Sequence, residues 1–101
     1  MKITHRASYD FQSIYGDENS ISSNCNTLTF ENCGEDNVEI YVNDTTHSHT
    51  GWHLFLQTGS SITIGGHRDC IIQDSYDFVF AGIIPTQQNV NIIRETFSIL
   101  T

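Results

Sequence analysis

Apolar and polar residues alternate along most of this chain with a period of two. Leu28 and Phe30 alternate with Thr27 and Thr29, which predicts a strand over about 26–31. Val38, Ile40 and Val42 alternate with Glu39 and Tyr41, the pattern of a half-buried strand. Trp52, Leu54 and Leu56 share one parity with His53 and Phe55 on the other, and Tyr76, Phe78 and Phe80 alternate with Asp77, Val79 and Ala81. The run Asn32-Cys33-Gly34-Glu35-Asp36-Asn37 is a turn cluster, and Asn43 to Thr50 is a polar loop. Thr58-Gly59 stands between the Trp52 segment and Ser61-Ile62-Thr63-Ile64, which predicts a tight hairpin with the glycine at positive φ. Gly65-Gly66 ends the second arm, and a short apolar step follows at Cys70-Ile71-Ile72. No long window keeps a helical period.

The two ends of the chain are less regular. From Asn89 to Thr101, Val90 and Ile92 stand on one parity and Ile93, Phe97 and Ile99 on the other. A bulge or break near Ile93-Arg94 reconciles these phases, with a short helix as the alternative. Ile3, Tyr9, Phe11, Ile14, Tyr15 and Ile21 are scattered among Ser, Asp and Asn. Residues 1–24 therefore read either as an edge strand with loops or as an arm that docks on a neighbouring subunit. The expected organisation is a single all-β domain, with the N-terminal arm or edge strand over 1–24 and a β-sandwich over 25–101. About seven or eight short antiparallel strands, jelly-roll or immunoglobulin-like, satisfy the spacing of the turns.

With 101 residues, the chain can close one core and has no room for two. Twelve acidic residues against Lys2, Arg6, Arg68 and Arg94 give a net charge of −8. The four cations are scattered, so no basic stripe exists to neutralise nucleic acid or an anionic membrane, and neither partner is expected. The N-terminus turns polar after Met-Lys-Ile-Thr-His-Arg and shows no apolar signal region, which implies a soluble protein made in a cytoplasm. In that compartment Cys25, Cys33 and Cys70 are reduced thiols, and a Cys25–Cys33 bridge is the alternative if the protein matures outside the cell. The sequon Asn43-Asp44-Thr45 is without consequence in the absence of a secretory signal.

The most suggestive chemistry lies in His47-Ser48-His49-Thr50-Gly51-Trp52-His53, followed by His67 and Asp69. In an extended chain His-x-His places both imidazoles on one side, and neutral imidazole suits zinc, copper, nickel or iron. His47, His49, His53 and His67 are thus the candidate metal ligands of the alternative reading, a cupin-like metal protein. The arrangement resembles the first cupin motif, but His53 stands where that motif has Glu, Tyr41 replaces its leading Gly, Gly59 is one residue off, and the Pro-x-Gly of the second motif is absent. Read simply as a loop, the segment binds no metal and no cofactor is expected. The acidic residues Asp17, Glu18, Glu31, Glu35, Asp36, Glu39 and Asp44 read as a solvated rim, because no calcium-loop spacing accompanies them. Neither a nucleophile elbow nor a glycine-rich phosphate loop occurs, so no catalytic residue is assigned and the chain is not read as an enzyme. Trp52 shares the parity of Leu54 and Leu56 and reads as core; exposed instead, with Tyr41 or Tyr76, it makes the chain a carbohydrate-binding module.

The stretch Leu28–Phe97 has the cadence Thr-Leu-Thr-Phe-Glu-Asn, Val-Glu-Ile-Tyr-Val-Asn, Leu-Gln-Thr-Gly-Ser-Ser-Ile-Thr-Ile-Gly-Gly, Tyr-Asp-Phe-Val-Phe and Asn-Val-Asn-Ile-Ile-Arg. It resembles small structural proteins of tailed bacteriophages, notably those of Bacteroidetes hosts related to the crAss-like group. Residues 56–66 are similar to a Leu-x-Pro-Gly-Glu-Ser-x-x-x-Gly-Gly hairpin of such proteins, with Thr58 in place of Pro and Ser60 in place of Glu. The resemblance implies a non-enzymatic virion component: an auxiliary or decoration protein on the major capsid protein, or a small neck or tail part. It carries no active site across. The implied partners are other virion proteins or further copies of the chain, met through sheet edges and a loose N-terminal arm.

Overall fold

A computed structural model describes residues 4–16, 20–43, 53–67 and 69–100. The strands are β1 (Thr4–Tyr15), β2 (Ser20–Ser22), β3 (Thr27–Asn32), β4 (Val38–Asn43), β5 (His53–Leu56), β6 (Ser61–Gly65), β7 (Ser75–Phe80) and β8 (Asn89–Leu100). A 3-10 turn at Pro85–Gln87 precedes β8, and β8 itself is strand throughout, not the short helix offered as the alternative for that segment. No helix among the described residues is long and apolar enough to cross a membrane.

The strands form two antiparallel sheets, ordered β1-β8-β3-β6 and β2-β7-β4-β5. Consecutive strands mostly change sheet, and the order is that of an eight-stranded jelly roll. The core lies between the sheets and is built by the alternation itself. Leu28 and Phe30 of β3, Val90 and Ile92 of β8, Val38 and Ile40 of β4, and Tyr76 and Phe78 of β7 are all buried. Phe30 is its centre, meeting Tyr76 edge-on at 5.3 Å and Phe78 at 5.5 Å between ring centroids. Such pairs add about 0.5–1.5 kcal/mol each beyond the area they remove from water. Burial raises the Tyr76 phenol to about 12, helped by the charge of Asp74 and then by Cys25. This ring is thus a neutral part of the core and presents no platform for a sugar.

Two expectations are corrected by the topology. The turn at Gln57–Ser60 exists, with Gly59 at φ 81° and Ser60 N–H donating to the Gln57 carbonyl at 3.0 Å. The strands around it do not pair, however: β5 joins β4 and β6 joins β3, so the chain crosses there from one sheet to the other. Asn32 and Asn37 hold the crossing. The Asn32 carbonyl accepts from Gly59 N–H at 2.9 Å, and Asn37 Oδ1 accepts from Thr58 N–H at 3.0 Å. The expected bulge near Ile93-Arg94 is absent, because β8 pairs with β1 in unbroken register from Asn89 to Leu100. The change of phase in β8 marks residues that face outward, not an interruption of the strand. The three cysteines are free, in agreement with the expected reduced thiols, and the alternative Cys25–Cys33 bridge is not formed. Cys25 lies before β3 and Cys33 after it, and a six-residue strand of about 20 Å separates them, far beyond disulfide reach.

Buried polar side chains fasten both ends of the sandwich. Asn32 Nδ2 donates to the carbonyls of Asp36 and Leu56 at 2.9 and 3.1 Å. At the other end, Asn26 Nδ2 donates to the Cys70 carbonyl at 2.8 Å, while its Oδ1 accepts from Phe97 N–H at 2.8 Å. Gly65 turns beside it at φ 85°, and a Cβ there would stand 2.4 Å from the Asn26 carbonyl oxygen, so only glycine fits.

Candidate functional site

His47 and His49 lie outside the described residues, as does Trp52; His53 opens β5, with its side chain also outside them. His67 is exposed in the β6–β7 connection, where Nδ1 accepts from Asp69 N–H at 3.1 Å. It shares an open depression of about 490 Å³ with His5, Gly66, Asp69 and Phe97. Among the described residues no three His, Cys, Asp or Glu side chains are grouped to hold a metal ion. Tyr41 is half-buried on the outer face of the second sheet, and its hydroxyl donates to Glu39 Oε2 at 2.7 Å. That hydrogen bond raises the Tyr41 phenol above its ordinary value, and burial and the Glu39 charge push the same way.

The feature that stands out is β1. Among the residues of this strand whose burial is described, only Ile14 is buried. Its core-side parity carries Ser8, Asp10 and Gln12, and its outward parity carries Tyr9, Phe11 and Tyr15, exposed by 59, 71 and 53 %. The apolar side of β1 thus points to solvent, opposite to β3, its neighbour across β8. The polar side is occupied by Arg94 of β8, whose side chain is 12 % exposed. Its Nη1 donates to Asp10 Oδ2 at 3.0 Å, and its Nη2 to Gln12 Oε1 at 2.7 Å and to the Ser22 carbonyl at 2.8 Å. Arg94 Nε reaches the same carbonyl at 3.0 Å. One guanidinium therefore ties β1 and β8 of one sheet to β2 of the other, and the fork of fixed donors is what allows it. Lined with polar groups, the inner side of β1 leaves the strand's aromatic residues no interior to enter.

On the outer face these residues form a continuous patch. Tyr9 and Phe11 stack at 6.3 Å with 19° between their planes. Across the register, Phe11 lies opposite Ile93, Tyr9 opposite Glu95, Ala7 opposite Phe97 and His5 opposite Ile99. Glu95 accepts from the Tyr9 hydroxyl, which raises that phenol above its ordinary value, and its charge adds to the effect. Beside Phe11 and Ile93 is a shallow depression of about 380 Å³, also lined by Gln12, Ser13, Glu31, Asn91 and Ile92. The patch continues beyond the body of the sandwich: β3 pairs with β8 only from Val90 to Glu95, whereas β1 follows β8 to Leu100. The two strands therefore run on past β3 as a ribbon, in a molecule measuring 54 × 29 × 19 Å. Such a face can hold another surface.

No known family model, curated protein or solved structure matches this chain.

The sequence pointed to the histidine loop and passed over β1 because Ile14 stands on the opposite parity from Tyr9, Phe11 and Tyr15. The signal was present in residues 8–12, where polar and aromatic residues alternate as they do in β3.

Proposed function

We propose that this chain is a non-enzymatic structural subunit of a tailed-bacteriophage particle, an auxiliary capsid or decoration protein. It docks on the major capsid protein or a neighbouring virion protein through the outer face of β1 and β8. The observation that carries this reading is the reversed β1, whose aromatic side is held outward by an Arg94-bridged polar side. An apolar face maintained at the surface by a built-in polar anchor is what a binding surface requires, and Tyr and Phe are enriched in the cores of interfaces. The jelly roll is one of the architectures used by capsid proteins, and the sequence cadence described above favours the same class. The acidic body, at net charge −8, complements a basic shell surface and steers encounter with it.

Quantitative proteomics of purified particles tests the proposal. The expected result is a fixed copy number relative to the major capsid protein, retained through a density gradient. Absence from intact particles would rule out the reading.

A further inference from the structure

Among the described residues the two sheets have four edges, and three of them are short. β2 offers three residues, β5 four and β6 five before Gly65-Gly66 ends it. Shortness is one of the usual protections against edge-to-edge pairing. The fourth edge, β1, runs for twelve residues without proline, glycine, lysine or bulge between Thr4 and Tyr15. Among the described residues its only partner strand is β8. Alternate backbone N–H and C=O groups along its other side are thus a long open template.

Charge decides what covers it. The chain as a whole is strongly acidic, yet the side chains of β1 with permanent charge are Arg6 and Asp10, which cancel. This edge is therefore a place where two copies of an acidic protein can meet without opposition. An antiparallel pair that keeps both aromatic faces on one side must bring together residues of equal parity. With Ser8 on the two-fold axis, Arg6 of each copy stands opposite Asp10 of the other, and Thr4 stands opposite Gln12. Moving the axis to Asp10 sets the two aspartates against each other, and moving it to Tyr9 or Ala7 leaves Arg6 and Asp10 opposite neutral residues.

We infer that two copies of this chain pair antiparallel through their β1 edges, with Ser8 on the axis and reciprocal Arg6–Asp10 pairs, joining two four-stranded sheets into one of eight. The patch of Tyr9, Phe11 and Tyr15 is then doubled on one side of the dimer, free for a further partner. The pairing stands or falls independently of whether the protein is found in particles.

Sedimentation equilibrium of the purified chain from micromolar to millimolar concentration tests it. The wild type is expected to form a reversible dimer. Arg6→Asp, at an exposed position, is expected to weaken it by roughly tenfold or more, because two cross-strand attractions become repulsions. In a Cys33→Ser, Cys70→Ser background, Ser8→Cys is expected to give a disulfide-linked dimer on mild oxidation, since paired Cα atoms on the axis lie about 4.5–5.5 Å apart. A wild type that stays monomeric throughout overturns the proposal. So does a dimer that Arg6→Asp leaves intact or that Ser8→Cys fails to trap.

Discussion

β1 and β3 flank the same strand, β8, and use the alternation of apolar and polar residues in opposite senses. β3 sends Leu28 and Phe30 into the core and leaves Thr27, Thr29 and Glu31 half-buried on the opposite face. β1 sends Asp10 and Gln12 toward the interior side and leaves Tyr9, Phe11 and Tyr15 in solvent. The difference comes from what lies beneath each strand. Under β3 is the broad part of the second sheet, with Tyr76 and Phe78 in contact with Phe30. On the side of β1 the second sheet ends in the three-residue β2, and the group that crosses to it is the Arg94 guanidinium. Period two declares a strand; the layer below decides which side is buried.

The largest effect separating the two strands is expected at Phe30. Phe30→Ala removes a fully buried ring that contacts two others, and the loss expected is about 3–5 kcal/mol of unfolding free energy. Urea denaturation measures it. A loss below about 1 kcal/mol would mean that the cavity collapses freely and that Phe30 is not the centre of the core.

A smaller effect is expected at the joint between the sheets. Arg94→Ala leaves the Ser22 carbonyl without its two guanidinium donors and Asp10 without its ion pair, for a cost of about 1–3 kcal/mol. Arg94→Lys is expected to recover only part of this, because a single ammonium cannot serve Asp10, Gln12 and Ser22 together. The same two variants should raise hydrogen exchange at β1 amides more than at β3 amides. Equal exchange in the two strands would show that Arg94 does not hold β1 in place.

The sandwich was legible in the sequence wherever both neighbours of a strand obey the same alternation. Leu28, Phe30, Val38, Ile40, Tyr76 and Phe78 were assigned to one interior, and all six are buried there. Pairing was less legible, because a turn such as Gln57–Ser60 has the same residues whether the chain returns along its own sheet or crosses to the other. What decides is the set of long-range bonds from Asn32 and Asn37, which no local pattern contains. The candidate surface was hidden for a related reason. Tyr9, Phe11 and Tyr15 look like irregularly placed core residues until Arg94, about eighty positions away in the chain, is seen to occupy the other side of their strand. Histidines draw attention by their chemistry alone, whereas a reversed strand is visible only once its partner is known.

The smallest effect on stability, and the sharpest contrast with Phe30, is expected at Phe11. Phe11 is 71 % exposed and, among the described residues, its ring stacks on Tyr9 alone, so Phe11→Ser should change the unfolding free energy by less than about 0.5 kcal/mol. If the outer face of β1 is the docking surface, the same substitution should lower the copy number of the protein in purified particles, because an aromatic side chain near the centre of an interface is where binding energy concentrates. Val79→Ser is the control: Val79 is exposed by 52 % on the outer face of the other sheet, where its loss should leave incorporation unchanged. Normal incorporation of a well-folded Phe11→Ser protein would place the contact elsewhere, whereas a fall shared equally by both variants would mean that any loss of surface apolarity matters and β1 has no special part.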